Sequence, residues 1–310
     1  MLIYRGIPAR PETPVALTIG NFDGVHLGHQ AMLQCTEDAA KKRGLPACVM
    51  TFEPHPRELF TPDQAPTRLT SLREKLELFE SYGIDQVFIC RFNRAFAGMP
   101  ADDFAARILR THLQTRWMLI GDDFRFGAKR AGDIALLRAA AIPLGAEVEE
   151  MHSVTAEKLR VSSTAVRDAL ASGDMMLATR LLGRPYSISG RVEHGDNIGH
   201  KIGFPTANVQ LKHNRPPVWG IFAVEVHGLG DTPLQGAASL GVRPTVTNSG
   251  RPKLEVHLFD FDQQIYNRHV RVDFLHKLRD EMKFPDMETL TAQIAADVEN
   301  TRVFFRDRVK

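Results

Sequence analysis

Residues 20–30 read Gly20-Asn21-Phe22-Asp23-Gly24-Val25-His26-Leu27-Gly28-His29-Gln30, directly after the apolar run Val15–Ile19. Two histidines stand three apart across a glycine, where a strand hands over to a helix. A strand end offers a crevice, glycines let backbone approach phosphate, and a helix N-terminus supplies unpaired N–H groups with a partial positive charge. The stretch therefore suits a nucleoside triphosphate. A plainer reading is two histidines near a turn, one of them a helix cap.

Working outward, short apolar runs recur at Ala47–Thr51, Gln86–Cys90, Trp117–Gly121 and Ala146–Glu149. Helix-like stretches alternate with them near Gln30–Arg43, Ser71–Tyr82, Asp102–His112 and Asp133–Ala141. This alternation predicts right-handed crossovers and a mostly parallel, Rossmann-like α/β sheet. Ligands bind such sheets at the carboxyl ends of the strands. Ser162–Gly173 reads as a capped helix and Asp174–Leu182 as a second short one, before Gly183-Arg184-Pro185 breaks the pattern. The expected domains are 1–182 and 183–310.

After Tyr186 the pattern changes to strands separated by turns: Tyr186–Val192, Gly220–Val226, Gln235–Leu240, Lys253–Phe261 and His269–Phe274. These predict a small β-barrel. A last helix begins near Pro285-Asp286, with Leu290, Ile294, Val298 and Phe305 as its packing stripe.

Composition narrows the function. The 310 residues are 43% apolar and 25% charged, with a net charge of +2, so two ordinary cores can form. Through Arg184 there are 23 Lys/Arg against 22 Asp/Glu, and after it 16 against 15, which leaves +1 on each part. Neither part has the basic excess of a general nucleic-acid binder. The three cysteines, Cys35, Cys48 and Cys90, form no CxxC pair and no zinc spacing. No apolar segment of signal-peptide or membrane-span type is present. The expectation is a cytoplasmic protein, monomeric or weakly homo-oligomeric, with no membrane or nucleic-acid partner.

Ser162-Ser163-Thr164-Ala165-Val166-Arg167 adds a second phosphate-type element: hydroxyls, a helix start and an Arg one turn in. His26-Leu27-Gly28-His29 together with it resembles the HxGH nucleotidyltransferases. Gly20–Gln30, Thr51–Pro56, Phe92–Phe104 and Gly121–Gly127, in this order, resemble the FMN adenylyltransferase module of bacterial FAD synthetases. That resemblance implies that His26 and His29 contact the phosphates and stabilise the transition state, and that Mg²⁺ bridges them. It implies that Gly20, Asn21, Phe22, Asp23 and Gly28 shape the ATP pocket and that Ser162, Ser163, Thr164 and Arg167 grip the outer phosphates. Phe52, Pro54, Asp122, Asp123 and Phe124 are its flavin-contact candidates, though the phenylalanines read equally well as core.

In the second half, Gly203-Phe204-Pro205-Thr206-Ala207-Asn208 reads unaided as a surface turn whose Thr and Asn oxygens suit a phosphate-bound Mg²⁺. Glu255 is a carboxylate inside an apolar strand, either salt-bridged or poised for proton transfer, with His257 on the same face as a structural partner. Tyr186–Gly195, Pro205–Asn208, Gly220–Phe222, Ser239–Thr245 and Glu255–Phe261 resemble the riboflavin kinase module. The resemblance implies that Thr206 and Asn208 hold Mg²⁺-ATP near Gly203, that Glu255 activates the ribityl hydroxyl, and that Arg279 and Glu281 lie on the loop over the flavin. Three features depart from that family: Val256 stands where a threonine is common, Asp262-Gln263-Gln264-Ile265 where a Gly-Asp turn is more usual, and Asn267 where a glycine usually follows the tyrosine.

The whole pattern implies a bifunctional enzyme taking riboflavin to FMN and FMN to FAD, both with ATP. A different HxGH transferase leaves the second half unexplained. A flavin sensor with decayed sites conflicts with the retained His26, His29, Thr206, Asn208 and Glu255.

Overall fold

In the computed structural model of the chain, the residues described are 1–9, 13–156, 159–195, 199, 202–213, 215–241 and 252–308. The chain divides into two compact units, Met1–Pro66 with Leu72–Ser162, and Thr67–Ser71 with Ser163–Lys310.

The first unit is built on six parallel strands: β1 (Leu2–Arg5), β2 (Ala16–Ile19), β3 (Ala47–Glu53), β4 (Gln86–Arg91), β5 (Trp117–Gly121) and β6 (Glu147–Met151). Their order is β1-β4-β3-β2-β5-β6. Its helices are α1 (Leu27–Arg43), α2 (Pro56–Phe60), α3 (Leu72–Ser81), α4 (Arg94–Ala97), α5 (Ala101–Asp103, running on in π-type turns over Phe104–His112) and α6 (Ile134–Ala141). Two buried clusters cover the sheet. One gathers Leu17, Ile19, Met50, Phe104 and Ile120, and the other Val49, Phe79, Val87, Trp117 and Leu119. The strand order reverses between β2 and β5, and such a reversal opens a crevice at the strand ends. The 20–29 segment leaves β2 at that place. A two-stranded ribbon, β7 (Thr155–Ala156) and β8 (Leu159–Arg160), completes the unit.

β1 was not expected from the sequence. It is an edge strand with little burial, held by backbone register on β4 (Leu2↔Gln86) and by the Tyr4–Phe88 ring stack at 5.3 Å.

The second unit opens with α7 (Ser163–Ser172) and α8 (Met175–Leu182). Six strands then close an antiparallel barrel in the order β10-β13-β12-β11-β14-β9. They are β9 (Tyr186–Glu193), β10 (Ala207–Val209), β11 (Gly220–His227), β12 (Leu234–Gly241), β13 (Lys253–Leu258) and β14 (His269–Arg279). α9 (Met287–Arg308) ends the chain.

Two expectations change here. Thr206–Asn208 is not a simple surface turn: Ala207–Val209 is a short strand paired on both sides, and it closes the barrel. The packing stripe of α9 is also rotated. Its buried positions are Asp297, Thr301 and Phe305, while Leu290, Ile294 and Val298 are half-buried beside them. The cause is an ion pair. Arg279 at the end of β14 donates Nε and Nη2 to the Asp297 carboxylate at 2.9 and 2.6 Å, and this pulls the polar position inward.

Candidate active sites

The first site assembles on the carboxyl ends of three neighbouring strands. β2 delivers Gly20–Asp23, β3 delivers Phe52 and Pro54, and β5 delivers Asp122–Phe124. His26 is the N-cap of α1, and its Nδ1 accepts from the His29 backbone N–H at 3.3 Å. In a neutral ring that acceptor role puts the proton on Nε2. The two imidazoles stack at 3.7 Å between centroids, 16° from parallel. The cap and the phosphate-site readings of this segment are therefore compatible. The first turn of α1 carries no acidic residue and its last turn carries Lys41, Lys42 and Arg43, so the helix leaves its positive end toward an anion.

His29 is held neutral. Burial, the neighbouring His26 and the Lys75 ammonium push its pKa well below the ordinary histidine value. Its Nδ1 is sealed from solvent with no hydrogen-bond partner, as is Asn21 Oδ1. Buried polar atoms without partners are uncommon, and two at one strand end point to a polar group supplied by a ligand. Phe22 is fully buried with its ring between Phe79 and His29, at 5.3 and 5.0 Å, and Asp23 is buried as well.

The flavin candidates fall in two environments. Phe52 and Phe124 pack on the buried cluster, in an aromatic series with Phe92, Phe96, Phe104 and Phe126. Pro54 follows the end of β3, and His55 beyond it caps α2. Asp122 accepts from the Ser153 hydroxyl at 2.8 Å, which with the Ser153 N–H and Arg160 holds its carboxyl below the usual range. Asp123 faces the same Arg160 at 3.5 Å.

Ser162 ends the first unit, and Ser163, Thr164 and Arg167 lie on the first two turns of α7 in the second. Arg167 Nε donates to the Thr67 carbonyl at 2.7 Å, which orients its guanidinium.

In the barrel, the ladder sets Asn208 directly opposite Glu255 on β13 and opposite Glu193 on β9. Glu255 in turn faces Ser239 on β12. Leu254, Val256 and Leu258 point into the core, so Glu255 and His257 stand half-buried on the other face. His257 is not the partner of Glu255 that the sequence allowed: its Nδ1 lies 2.8 Å from the Pro205 carbonyl and so holds the approach to Thr206. Gly203 takes φ +84°, a conformation open to glycine with little strain.

Arg279 borders a cleft of about 410 Å³ between β14 and α9, shared with His276, Gln293, Asp297, Asn300 and Phe304. The Glu281 carboxylate sits against Gly241, where any side chain would collide with it. Residues 242–245 of the Ser239–Thr245 motif lie outside the described residues.

Lys75 was missed in the sequence. It is 2% exposed on α3, and its ammonium donates to the Asn21 carbonyl at 2.8 Å. The available signal was register: Lys75 shares the apolar helical face of Leu72, Leu76 and Phe79.

Two family sequence models match the chain. One described as FAD synthetase covers residues 9–165, and one described as riboflavin kinase covers 182–305. The bifunctional riboflavin kinase/FMN adenylyltransferase of Escherichia coli K12 is 48% identical over 98% of both chains. That of Haemophilus influenzae is 47% identical over 94% of both. The chain belongs to the bifunctional riboflavin kinase/FMN adenylyltransferase family. A crystal structure titled as a macrolide-efflux protein from Streptococcus pneumoniae shares the fold, with a TM-score of 0.81, 29% identity and coverage of 97% of this chain and 99% of that one. The parallel-sheet unit followed by a closed six-stranded barrel is thus the architecture of a bifunctional riboflavin kinase/FMN adenylyltransferase. Among the described residues no helix is long and apolar enough to cross a membrane.

Proposed function

We propose that the two reactions of this family run at the two sites described: FMN adenylylation at the imidazole pair, and riboflavin phosphorylation at the Asn208–Glu255 pair. One observation carries this division: the imidazoles lie in the first unit and the Asn208–Glu255 ladder pair in the second.

At the first site a phosphate oxygen of FMN attacks the α-phosphorus of ATP in line, and pyrophosphate leaves. Nothing covalent is asked of the protein, so positioning and charge stabilisation dominate. His26 offers Nε2–H, and the start of α1 offers backbone N–H groups. His29 and Asn21, each with an unsatisfied buried atom, are set to gain a partner as substrate arrives. Gly20, Asp23 and Gly28 keep the turn closed around the nucleotide. Ser162, Ser163, Thr164 and Arg167 are assigned to the outer phosphates, supported by the hydroxyls and the oriented guanidinium at the start of α7. The strand-end positions Phe52, Pro54, Asp122, Asp123 and Phe124 are assigned to the flavin.

At the second site the ribityl 5′-hydroxyl of riboflavin gives its proton to Glu255 as its oxygen attacks the γ-phosphorus of ATP, and ADP leaves. The cleft beside Arg279, and Glu281 two positions further along the chain, are assigned to the flavin ring. Mg²⁺ fits the donors present. The Asn208 amide, its nitrogen nearest, lies against Gly195 and the Thr206 hydroxyl against Gly199, where a Cβ would crowd them; the amide and hydroxyl oxygens are hard donors of the kind Mg²⁺ takes. Among the described residues no group of three or more His, Cys, Asp or Glu could hold a metal. An ion carried mainly by substrate phosphates needs only one or two protein oxygens. When bound, it neutralises phosphate charge.

We place the functional boundary at 182/183, supported by the start of the riboflavin kinase match at residue 182. The free thiols Cys35, Cys48 and Cys90 support a reducing, cytoplasmic setting.

The test is chromatography of the products from riboflavin, ATP and Mg²⁺. His29→Ala should form FMN and lose FAD formation by about 10²-fold or more. Glu255→Ala should lose FMN formation by about 10²–10⁴-fold and still convert supplied FMN to FAD. A folded variant that loses both steps refutes the division.

A further inference from the structure

α3 buries two side chains one turn apart, Lys75 and Phe79, and both hold the same turn. Lys75 Nζ donates to the Asn21 carbonyl at 2.8 Å, and the Thr51 hydroxyl donates to that oxygen at 3.3 Å. Phe79 meets Phe22 edge-on at 5.3 Å, and Phe22 meets His29 at 5.0 Å. The turn so held is unfavourable by itself. Phe22 and Val25 take φ of +49° and +42°, left-handed backbone that bulky residues avoid, the β-branched valine above all. Such a turn persists only where its surroundings over-determine it.

Packing alone does not call for the charge. A methionine would fill the space of Lys75, and a buried ammonium costs free energy unless it is bonded. Its bond to Asn21 is charge-assisted, which makes it stronger than a neutral one. The side chains carried by this turn and by the helix behind it include the two unsatisfied buried atoms, Asn21 Oδ1 and His29 Nδ1. The same ammonium also contributes to the lowered pKa of His29.

We propose that Lys75 is a positioning residue of the adenylyl-transfer site: its buried ammonium fixes the Asn21 carbonyl and, with Phe79, the strained turn that aims Asn21 and His29 at the reacting phosphates. The proposal rests on the assignment of the imidazole pair to adenylyl transfer.

Lys75→Met, Lys75→Arg and His29→Ala are compared in the full chain. kcat and KM for ATP are measured with supplied FMN, riboflavin phosphorylation is measured in the same preparations, and folding is checked by thermal unfolding. Lys75→Met should lower kcat of adenylylation about 10²-fold, leave KM for ATP within about 3-fold, and leave phosphorylation unchanged. Lys75→Arg, which keeps charge and donors, should recover kcat to within about 10-fold of wild type. A purely structural lysine would change the unfolding temperature and leave kcat of the folded protein alone. The inference is overturned if Lys75→Met keeps kcat within about 3-fold, if Lys75→Arg is no better than Lys75→Met, or if phosphorylation falls in parallel. Should Lys75→Met show no folding transition, Lys75→Gln takes its place under the same criteria. If His29→Ala makes FAD at the wild-type rate, the assignment of the site fails. If His29→Ala is inactive and Lys75→Met is normal, only the role of Lys75 fails.

Discussion

Replacing Asp297 by alanine should destabilise the second unit by about 3 kcal/mol. Asp297 is 5% exposed and takes two short bonds from Arg279, at 2.9 and 2.6 Å, and a third from Gln293 at 3.0 Å. Removing one partner of a fully buried pair costs about 3–5 kcal/mol, because the remaining charge is stranded. The Arg279 side chain is 19% exposed and keeps its Nη1 bond to the Asp280 carbonyl, so water and backbone recover part of that. For a unit of this size the loss corresponds to roughly 6–12 °C in Tm.

Calorimetry of the full chain reads the shift, and phosphorylation of riboflavin reads the consequence. Arg279 and Asp297 line the same cleft, and three N–H groups of Arg279 are committed, two to Asp297 and one to Asp280. With Asp297 gone the guanidinium reorients, and KM for riboflavin should rise about tenfold, an effect of about 1.4 kcal/mol. Adenylylation of supplied FMN should not change. The double variant Arg279→Met/Asp297→Leu separates the two effects. Apolar replacement of both partners is often neutral or stabilising, so Tm should return to within a few degrees while riboflavin KM stays high. A shift under about 2 °C for Asp297→Ala, or a double variant as unstable as the single one, would refute the stranded-charge argument.

Two further outcomes follow from backbone and burial. The lowered pKa of His29 means that the unfolded chain binds its proton first as pH falls, so stability is fully present above the unfolded value of 6.5 and declines below it toward the folded pKa. The slope reaches at most about 1.4 kcal/mol per pH unit, and His29→Gln should flatten it in urea titrations between pH 7.5 and 5; equal slopes in both proteins would contradict the assignment. Asn267 takes φ +65°, donates its N–H to the Val192 carbonyl at 2.8 Å and accepts from Arg191 through its carbonyl at 2.9 Å. Asn267→Gly should be neutral within about 0.5 kcal/mol and Asn267→Val should cost about 1–2 kcal/mol, as read from denaturation midpoints.

Where sequence and structure agree, the agreement has a local cause. β2, β3, β4 and β5 are short apolar runs buried on both faces, the pattern a parallel sheet imposes. The glycines and histidines of 20–29 follow the first of these runs, so position along the chain and position at the sheet edge coincide. β10 was not legible, because three residues, Ala207-Asn208-Val209, are too few to carry a period and their pairing depends on β9 and β13. The rotated stripe of α9 was not legible either. An aspartate on a helix reads as solvent-facing until Arg279, 18 residues earlier, is known to point at it. Asn267 shows the converse. The sequence departs from its family there, yet asparagine tolerates the left-handed backbone that glycine would supply, and the strand pairing beyond it continues from His269 to Phe274.

Both candidate sites depend on pairings that sequence spacing does not express. Asn208 and Glu255 are 47 positions apart and meet only because the barrel closes between β10 and β13. Asn21 and Lys75 are 54 positions apart and meet because α3 packs its inner face on the turn after β2. In each pair one member stands in a recognisable motif and the other is an ordinary residue type on a regular element. Glu255 could be singled out because a carboxylate is conspicuous in an apolar strand. Lys75 is harder to single out, since lysine is common on amphipathic helices and its long apolar stem lets it stand on a buried face; only its register with Leu72, Leu76 and Phe79 marks it. A charged residue in the centre of a helix's apolar stripe is therefore the sequence feature to examine first when a phosphate-binding turn has been found and the residues holding it have not.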